Sequence, residues 1–174
     1  MKVCGRRFNV YFAVAAAASL LCGCETAKDK MSAALRVHFE TNPGPEGTSQ
    51  TVSVLRSDPV AVTIDPDPVL TEANIVTAKV VDVPGGFGIE LQFDETTAWM
   101  LEQYTSANPG RHFVIFGQWS DKPADGRWLA APLITHRIVN GVLSFTPDAS
   151  REEADLLVLG LNNVAKKVHK GLLK

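Results

Sequence analysis

Residues 70–93 read LTEANIVTAKVVDVPGGFGIELQF, and this stretch decides the fold. Its first residues are typical of a short helical turn, and the β-branched residues that follow favour a strand. Over residues 89–93 apolar and polar side chains alternate, which is the period of a half-buried strand. The intervening PGGFG, residues 84–88, predicts a turn. We therefore expect strand 76–83 to pair with strand 89–93 as an antiparallel hairpin.

Further strands are predicted on both sides of this hairpin. Residues 35–40 alternate so that one face is apolar and the other, which carries His38, is polar. Asp58-Pro59 separates two β-branched runs, because proline cannot donate a hydrogen bond to a sheet. Asn140-Gly141 is typical of a two-residue hairpin turn. The strands predicted outside the hairpin are LRVHFE at 35–40, TVSVLR at 51–56, VAVTI at 60–64, RHFVIFGQW at 111–119, WLAAPLITHRIV at 128–139 and VLSF at 142–145.

Two longer helices are predicted. Residues 94–107 have apolar side chains at helical spacing, and the NPG at 108–110 ends that helix. Ser150 and Glu153 fit a capping box at the start of the second helix. The apolar face of that helix consists of Ala154, Leu157, Val158, Leu161, Ala165 and Val168. Helices placed among antiparallel strands predict an α+β fold, with two main helices packed on a mostly antiparallel sheet.

The first 23 residues have the pattern of a secretory signal peptide. Lys2, Arg6 and Arg7 form a basic start, and residues 10–22 carry no charge. An uncharged run of this length is shorter than the roughly 20 residues that a membrane-spanning helix needs. It is typical of the apolar region of a signal peptide.

The stretch Leu21-Cys22-Gly23-Cys24 resembles a bacterial lipobox. The resemblance implies that the signal peptide is cut before Cys24 and that the Cys24 sulfur receives palmitate-type acyl chains. Two or three such chains hold a protein durably at a membrane. A metal site or a disulfide is disfavoured, because Cys4 and Cys22 leave with the signal peptide and no cysteine follows Cys24. A chance occurrence of the motif is the alternative.

These features predict three parts of the chain. Residues 1–23 are the lipoprotein signal peptide, residues 24–34 are the lipidated cysteine with a flexible tether, and residues 35–174 form a single α+β domain. The expected location is a membrane surface facing the periplasm. Glu25 is not the aspartate associated with inner-membrane retention in enteric bacteria, so the outer membrane is slightly favoured over the inner membrane.

The charge of the chain argues against nucleic acid as a partner. The formal net charge is −2, and removal of residues 1–23 would take away three basic residues and no acidic ones, which gives −5. Nucleic acid and anionic lipid both favour clustered basic residues. The lysines near the C-terminus are expected at a helix C-terminus, where the helix dipole favours cations.

The order of short signals in the second half resembles a known family. A turn before a strand ends in alanine, a helix is followed by threonine, asparagine and a glycine-basic pair, and a last helix opens with Glu-Glu-Ala. These signals are Ala78, Thr105, Asn108, Gly110-Arg111, Ala131-Pro132, Ile138, Gly141 and Glu152-Glu153-Ala154. Their order over residues 70–165 resembles the head of the first periplasmic domain of SecD, a subunit of the bacterial preprotein translocase.

The resemblance implies a function but supplies no catalytic residues. The SecD head is thought to engage emerging polypeptide. SecD carries this head on a base subdomain and a bundle of membrane helices, which are not found in this sequence, so we do not expect a motor. We expect a non-enzymatic envelope protein without a cofactor, which contacts other envelope polypeptides or exported polypeptides and is linked to export or folding. The alternative is a lipoprotein that binds a small molecule or a glycan.

No catalytic or metal motif is found around the histidines. His38, His112 and His136 all lie in predicted strands, and we expect them to be surface residues; His169 lies among lysines near the C-terminus. There is no zinc motif, no phosphate-binding loop and no G-x-S-x-G sequence. An envelope hydrolase would require a triad assembled from distant residues around His112 or His136.

The tryptophans are the remaining candidates for a site. Trp119 and Trp128 flank the polar loop SDKPADGR at 120–127, so we predict a partner surface there. For Trp99 we expect packing at the edge of the core.

Overall fold

The computed structural model describes residues 31–120 and 122–171. Its strands and helices follow the predicted order, with one extra two-residue strand and with 3-10 turns at Glu72–Asn74 and Pro123–Asp125. The α+β fold class is therefore confirmed. The strands are β1 Ala34–Phe39, β2 Gln50–Val54, β3 Val60–Ile64, β4 Leu70–Thr71, β5 Ile75–Val83, β6 Gly86–Phe93, β7 Phe113–Gln118, β8 Gly126–Ala130 and β9 Val142–Phe145; the helices are α1 Glu95–Ala107 and α2 Arg151–Gly171.

The strands form three antiparallel groups in the described part of the chain. The four-stranded sheet has the order β4-β1-β7-β8, and the three-stranded sheet has the order β5-β6-β9. The two-stranded ribbon consists of β2 and β3. The predicted single sheet is thus divided into three groups.

The hairpin that opens the three-stranded sheet is confirmed and is tighter than predicted. β5 pairs with β6 in a register that places Val83 opposite Gly86, so the turn contains only Pro84 and Gly85. Gly85 has φ +86°, a backbone conformation that glycine adopts without steric cost. Ile89, Leu91 and Phe93 of β6 are buried, as their alternation indicates.

The Asn140-Gly141 dipeptide does not form the predicted hairpin. It makes a turn, with Gly141 at φ +66° and the Val142 N–H donating to Asn140 Oδ1 at 3.1 Å. The strand that follows, β9, pairs with β6 and not with the residues just before the turn. Those residues, 131–141, contain no strand, and His136 lies in a bend, so the prediction of a strand continuing to residue 139 was wrong.

Both helices begin with a side-chain cap, and the cap of α2 is the capping box that its sequence predicts. At α1 the Thr97 N–H donates to Asp94 Oδ1 at 2.7 Å. At α2 the capping box is complete, because Glu153 N–H donates to Ser150 Oγ and Ser150 N–H donates to Glu153 Oε2. Among the described residues, no helix is both long enough and apolar enough to cross a membrane.

The four-stranded sheet is covered on both faces. One face joins the main core, which also contains side chains of the three-stranded sheet, α1 and α2. The other face is covered by the ribbon, whose Val52, Val54, Val62 and Ile64 pack with Val114 of β7. His38 lies on this second face and is 6% exposed, so the expectation of a surface histidine was wrong. Its Nδ1 is 2.8 Å from the Asp65 carbonyl oxygen.

One turn of α2 joins the first strand to the three-stranded sheet. Gly160 lies so close to Ala33 that an added Cβ would be 2.6 Å from the Ala33 Cβ. The Asn162 side chain exchanges two 2.9 Å hydrogen bonds with the backbone N–H and C=O of Ala78, and Asn163 Nδ2 donates to the Met31 carbonyl at 3.0 Å.

These contacts move the predicted domain boundary. Ala33 is buried, Ala34 already belongs to β1, and Met31 is held by α2. The expected tether of residues 24–34 is therefore too long at its C-terminal end. Residues 31–34 show no clear alternation of apolar and polar side chains. The close approach of Gly160 to Ala33 shows why a small side chain is needed at position 33.

Candidate functional site

The structure does not bring Trp119 and Trp128 together on one exposed surface. Trp119 is 7% exposed and belongs to the main core, and the Arg127 guanidinium carbon lies 4.6 Å from the centroid of its ring. Trp128 is half-buried on the opposite face of the four-stranded sheet. The predicted partner surface is corrected to this extent: Trp119 is buried, and only Trp128 borders an open groove. Whether Trp128 contacts a partner stays a prediction.

The third tryptophan shows the opposite of what the sequence indicated. Trp99 projects from α1 and is 64% exposed, so the expectation of core-edge packing was wrong. Thr97, Leu101 and Thr105 form the buried side of α1. Trp99 is two residues from both Thr97 and Leu101, which places it on the opposite side of the helix.

The groove beside Trp128 lies between the end of the ribbon and β8. The Trp128 ring centroid lies 5.3 Å from that of His38 and 5.4 Å from that of Phe116, both in edge-on contact. We call this open, shallow concavity of about 520 Å³ the Trp128 groove; it is lined by Ser53, Leu55, Arg56, Pro59, Phe116, Gly126, Arg127 and Trp128.

The rim of the Trp128 groove is conformationally unusual. Leu55 has φ +70°, a left-handed conformation that residues with a Cβ rarely adopt. The next residue is tied down, because the Arg56 N–H donates to Asp148 Oδ2 at 2.7 Å and its Nη2 lies 3.2 Å from Asp148 Oδ1. This anchorage holds Leu55, which is partly exposed, at the edge of the groove.

The two arginines of the groove are already paired with acids. Arg56 contacts Asp148, and Arg127 contacts Glu153 and donates to the Asp148 carbonyl at 3.0 Å. Burial alone would raise the pKa of Glu153, but the Ser150 N–H and the Arg127 guanidinium outweigh it and hold the pKa below its usual value. The groove therefore offers an apolar and aromatic surface more than a free positive charge.

A second, deeper concavity lies between residues 132–140 and β9. We call it the β9 cleft; its volume is about 560 Å³, within the size range of ligand sites. Leu133 and Val139 on its border are 49% and 60% exposed. Its other lining residues are Glu90, Phe113, Pro132, Ile134, Thr135, His136, Arg137, Ile138, Asn140, Val142, Leu143 and Ser144.

Residues 132–140 are held in place although they contain no strand. Ile134 exchanges backbone hydrogen bonds with the loop before β7, at 2.9 Å to the Gly110 N–H and 2.8 Å to the Arg111 carbonyl. The Ile138 N–H donates to Thr105 Oγ1 of α1 at 2.9 Å, and Arg137 Nη1 lies 3.4 Å from Glu102 Oε1. The wall of the β9 cleft is thus fixed to α1 and to the start of β7.

The histidines have structural partners. His112 contacts Glu40 Oε2 through its backbone N–H at 3.0 Å and through Nδ1 at 2.7 Å, and this hydrogen bond holds the pKa of Glu40 below its usual value. His136 Nδ1 lies 3.0 Å from Thr135 Oγ1, and His169 Nε2 lies 3.4 Å from the Ile75 carbonyl. Within residues 31–120 and 122–171, no group of three metal-ligating side chains lies together.

The amino-acid sequence did not lead us to predict the β9 cleft. Its signal was present in WLAAPLITHRIV, where Leu133 and Val139 break the alternation expected of a strand with one buried face. A proline within that run also demotes it from a regular strand. The lipidation site Cys24 lies outside the described residues.

A family comparison agrees with this architecture. The family described as the SecDF P1 head subdomain matches residues 49–165, so the match begins before the region of residues 70–165 that the sequence signals indicate and takes in the ribbon. No curated protein matches the chain.

Two solved structures share the fold. A crystal structure of SecDF in a super-membrane-facing form has a TM-score of 0.54 and 23% sequence identity, over 75% of this chain and 19% of that chain. A structure of SecDF, described as a membrane component that enhances protein export, has a TM-score of 0.54 and 20% identity, over 94% of this chain and 72% of that chain. The chain thus spans about a fifth of the first of these SecDF proteins. With the family match covering two thirds of its residues, the chain belongs to the SecDF P1 head subdomain family.

Proposed function

We propose that this protein is a lipid-anchored envelope module that contacts exported polypeptides and supports their export or folding. The family to which it belongs and the link of a similar SecDF protein with protein export support this proposal. The proposed module acts through binding, without catalysis and without a cofactor. Its relatives carry the head within a longer chain, whereas here we propose that an acyl anchor holds the head at the membrane.

The observation that carries the proposal is the exposed apolar border of the β9 cleft. Leu133 and Val139 remain accessible although their wall is fixed by hydrogen bonds to α1 and to the start of β7. Exposed apolar side chains beside a concavity are typical of surfaces that bind other molecules. An open cleft that combines aliphatic with polar side chains suits unfolded polypeptide, which presents apolar side chains and free backbone groups.

The anchor is the second part of the proposal. Residues 1–23 would be removed and Cys24 would carry the acyl chains, so the domain would remain on the periplasmic side of a membrane, with the outer membrane slightly favoured. Each buried methylene contributes about 0.8 kcal/mol, which makes two or three chains a durable anchor. A Cys24→Ala variant should leave the membrane fraction and lose labelling by a clickable palmitate analogue; unchanged labelling would contradict the anchor.

In-cell photocrosslinking tests the proposed contact with exported polypeptides. A photoreactive amino acid at position 133 or 139 should give adducts with many exported chains or with translocase subunits. Position 156 is a matched control, because Leu156 is also an exposed apolar residue but lies on α2. Equal adducts from all three positions, or adducts with one unrelated envelope protein alone, would contradict the proposed function.

The Trp128 groove supports a second candidate, the binding of a glycan or small molecule. Phe116 and Trp128 place two aromatic rings beside polar groups of Arg56 and Arg127, a combination that suits such ligands. A glycan microarray probed with the protein and with a Trp128→Ala variant tests this candidate. Binding that is lost in the variant would favour the glycan function over the polypeptide function.

A further inference from the structure

β9 is an edge strand whose outer side borders the β9 cleft. In the part of the chain that the structure describes, β9 pairs with β6 alone. The Phe93 N–H donates to the Gly141 carbonyl at 3.0 Å, so the backbone groups of Gly141 point toward β6. In an antiparallel ladder, residues whose backbone groups point to the partner strand alternate with residues whose backbone groups point away from it. Leu143 and Phe145 therefore point their N–H and C=O groups to β6, and Val142 and Ser144 do not. The N–H and C=O groups of Val142 and Ser144 therefore point away from β6.

One of these outward groups is already occupied. The Val142 N–H donates to Asn140 Oδ1 at 3.1 Å, a hydrogen bond that also confirms the outward direction. The Val142 C=O and both backbone groups of Ser144 remain directed to the cleft, and the Ser144 side chain is exposed. They present the acceptor, donor and acceptor pattern that an added strand requires.

The opposite edge of the same sheet is protected. On β5, the Asn162 side chain accepts from the Ala78 N–H and donates to the Ala78 C=O, as a neighbouring strand would. Farther along β5, Arg151 of α2 pairs with Asp82. Proteins commonly protect exposed edges in this manner, because unpaired edges attract other chains. β9 has neither a proline nor a lysine at its edge.

The position of the cleft matches the direction of the free groups. A strand laid along β9 would lie between β9 and residues 132–140, with Leu133, Ile138 and Val139 on its other side. These aliphatic side chains favour apolar residues in the added strand. A concavity of about 560 Å³ is large enough for a short peptide segment.

We propose that the β9 cleft binds an extended, alternately apolar polypeptide segment by strand addition, with the backbone of Ser144 as the central pairing point. This inference rests on the proposed function and gives it a mode of recognition. Backbone pairing is independent of the guest sequence, which suits a site that contacts many different exported chains.

The test compares two peptides on the full protein in detergent. The first is a fluorescent peptide of alternating threonine and valine; the second is the same peptide with N-methyl groups on every second amide, which cannot donate along one edge. The methyl groups are placed on the valine amides in one version and on the threonine amides in the other, so that each version blocks one edge. Fluorescence anisotropy should show binding of the first peptide, at least about tenfold weaker binding of the version that is methylated on the edge facing β9, and retained binding of the other version. Hydrogen exchange at the Ser144 amide should slow when the first peptide is bound.

A pair of variants tests the edge from the protein side. Ser144→Pro removes the outward N–H and adds a ring at the edge, but it keeps the ladder with β6, since that N–H does not face β6. Ser144→Ala keeps the backbone donor and should bind the peptide as the natural protein does. The proline variant should bind at least about tenfold more weakly. Circular dichroism shows whether the proline variant is folded, and the N-methyl peptides keep the test valid if it is not.

The outcomes separate the two proposals. Equal binding of the unmethylated peptide and of both methylated versions, or equal loss in both versions, would overturn strand addition and leave the polypeptide-binding function intact. No binding of any peptide, together with adducts from positions 133 and 139, would also overturn strand addition. No binding and no position-dependent adducts would overturn the proposed function itself.

Discussion

The two larger sheets of this domain differ in how completely they are covered. The four-stranded sheet has the main core on one face and the ribbon on the other, so even His38 is buried. The three-stranded sheet has a core face and an open face, where Lys79 and Glu90 form an ion pair with an N–O distance of 2.6 Å. One of its edges is protected by Asn162 and the other borders the β9 cleft. Both sheets contribute side chains to the main core, but the three-stranded sheet leaves one face and one edge accessible.

The largest difference in stability is expected from a large-to-small substitution in the main core compared with one at the β9 cleft. Ile115 on β7 is fully buried in the main core, and Ile115→Ala should lower the free energy of unfolding by about 2–5 kcal/mol through lost burial and a cavity. Leu133→Ala at the β9 cleft should change it by less than about 0.5 kcal/mol. Urea titration followed by tryptophan fluorescence measures both. Similar losses of unfolding free energy for the two variants would contradict the difference between the core and the cleft.

The two edges of the three-stranded sheet give the next test. Asn162→Ala leaves the backbone groups of Ala78 without partners, at a cost of about 0.5–1.5 kcal/mol for each of two hydrogen bonds. Asn140→Ala removes one hydrogen bond at an exposed position and should cost less than about 0.5 kcal/mol. Urea titration gives the two values, and hydrogen exchange at the Ala78 amide should quicken in the first variant only. An unchanged Ala78 rate would show that Asn162 does not protect this edge.

A smaller effect is expected at the point where α2 meets β1. Gly160→Ala would place a Cβ 2.6 Å from the Ala33 Cβ and 2.8 Å from its backbone nitrogen, so the helix or the strand must move. The gain in helix propensity offsets part of this strain, and we expect a net loss of about 1–2 kcal/mol. Gly86→Ala is the matched control, because nothing lies within 4 Å of its added Cβ. Thermal unfolding of both variants measures the difference, and an equal or raised Tm for Gly160→Ala would contradict the close packing.

The smallest effect is a pH dependence at one end of the four-stranded sheet. Because the hydrogen bond from His112 lowers the pKa of Glu40, this carboxylate contributes stability above its usual pKa of about 4.5. That contribution is lost as the pH falls through the lowered value, since the unfolded chain takes up the proton first. Glu40→Gln should therefore weaken the fall in Tm between about pH 5 and pH 3. Glu46→Gln, at an exposed loop position, should leave it unchanged; equal profiles for all three proteins would contradict the role of Glu40.

Local patterns in the sequence predicted the elements of the fold well. The hairpin at residues 75–93 follows from alternation around a glycine turn, and α2 follows from the capping box of Ser150 and Glu153 with its apolar face. Such features depend on neighbours within a few residues, which a single sequence displays directly. The family resemblance was confirmed for the same reason, since its signals lie in local elements.

The packing of elements that are far apart in the sequence could not be predicted from local patterns. Alternation in β1 indicates one buried face, but it cannot show that a separate ribbon covers the face of His38. The burial of Trp119 depends on the main core, which is built from elements distant in sequence. The pairing of β9 with β6 joins residues about fifty positions apart. The β9 cleft depends on that pairing, so the broken alternation at Leu133 and Val139 could indicate an irregular segment but not the cleft that it borders.

The single turn of α2 that contains Gly160 and Asn163 has a consequence for the order of folding. It holds Met31 through a hydrogen bond between residues 132 positions apart. A chain that emerges N-terminus first cannot form this contact until α2 has been synthesised. The segment that leads into β1 is therefore fixed only after α2 has formed. Contacts of such long range also slow folding, so we expect the junction of Ala33 with α2 to be among the last parts of the domain to form.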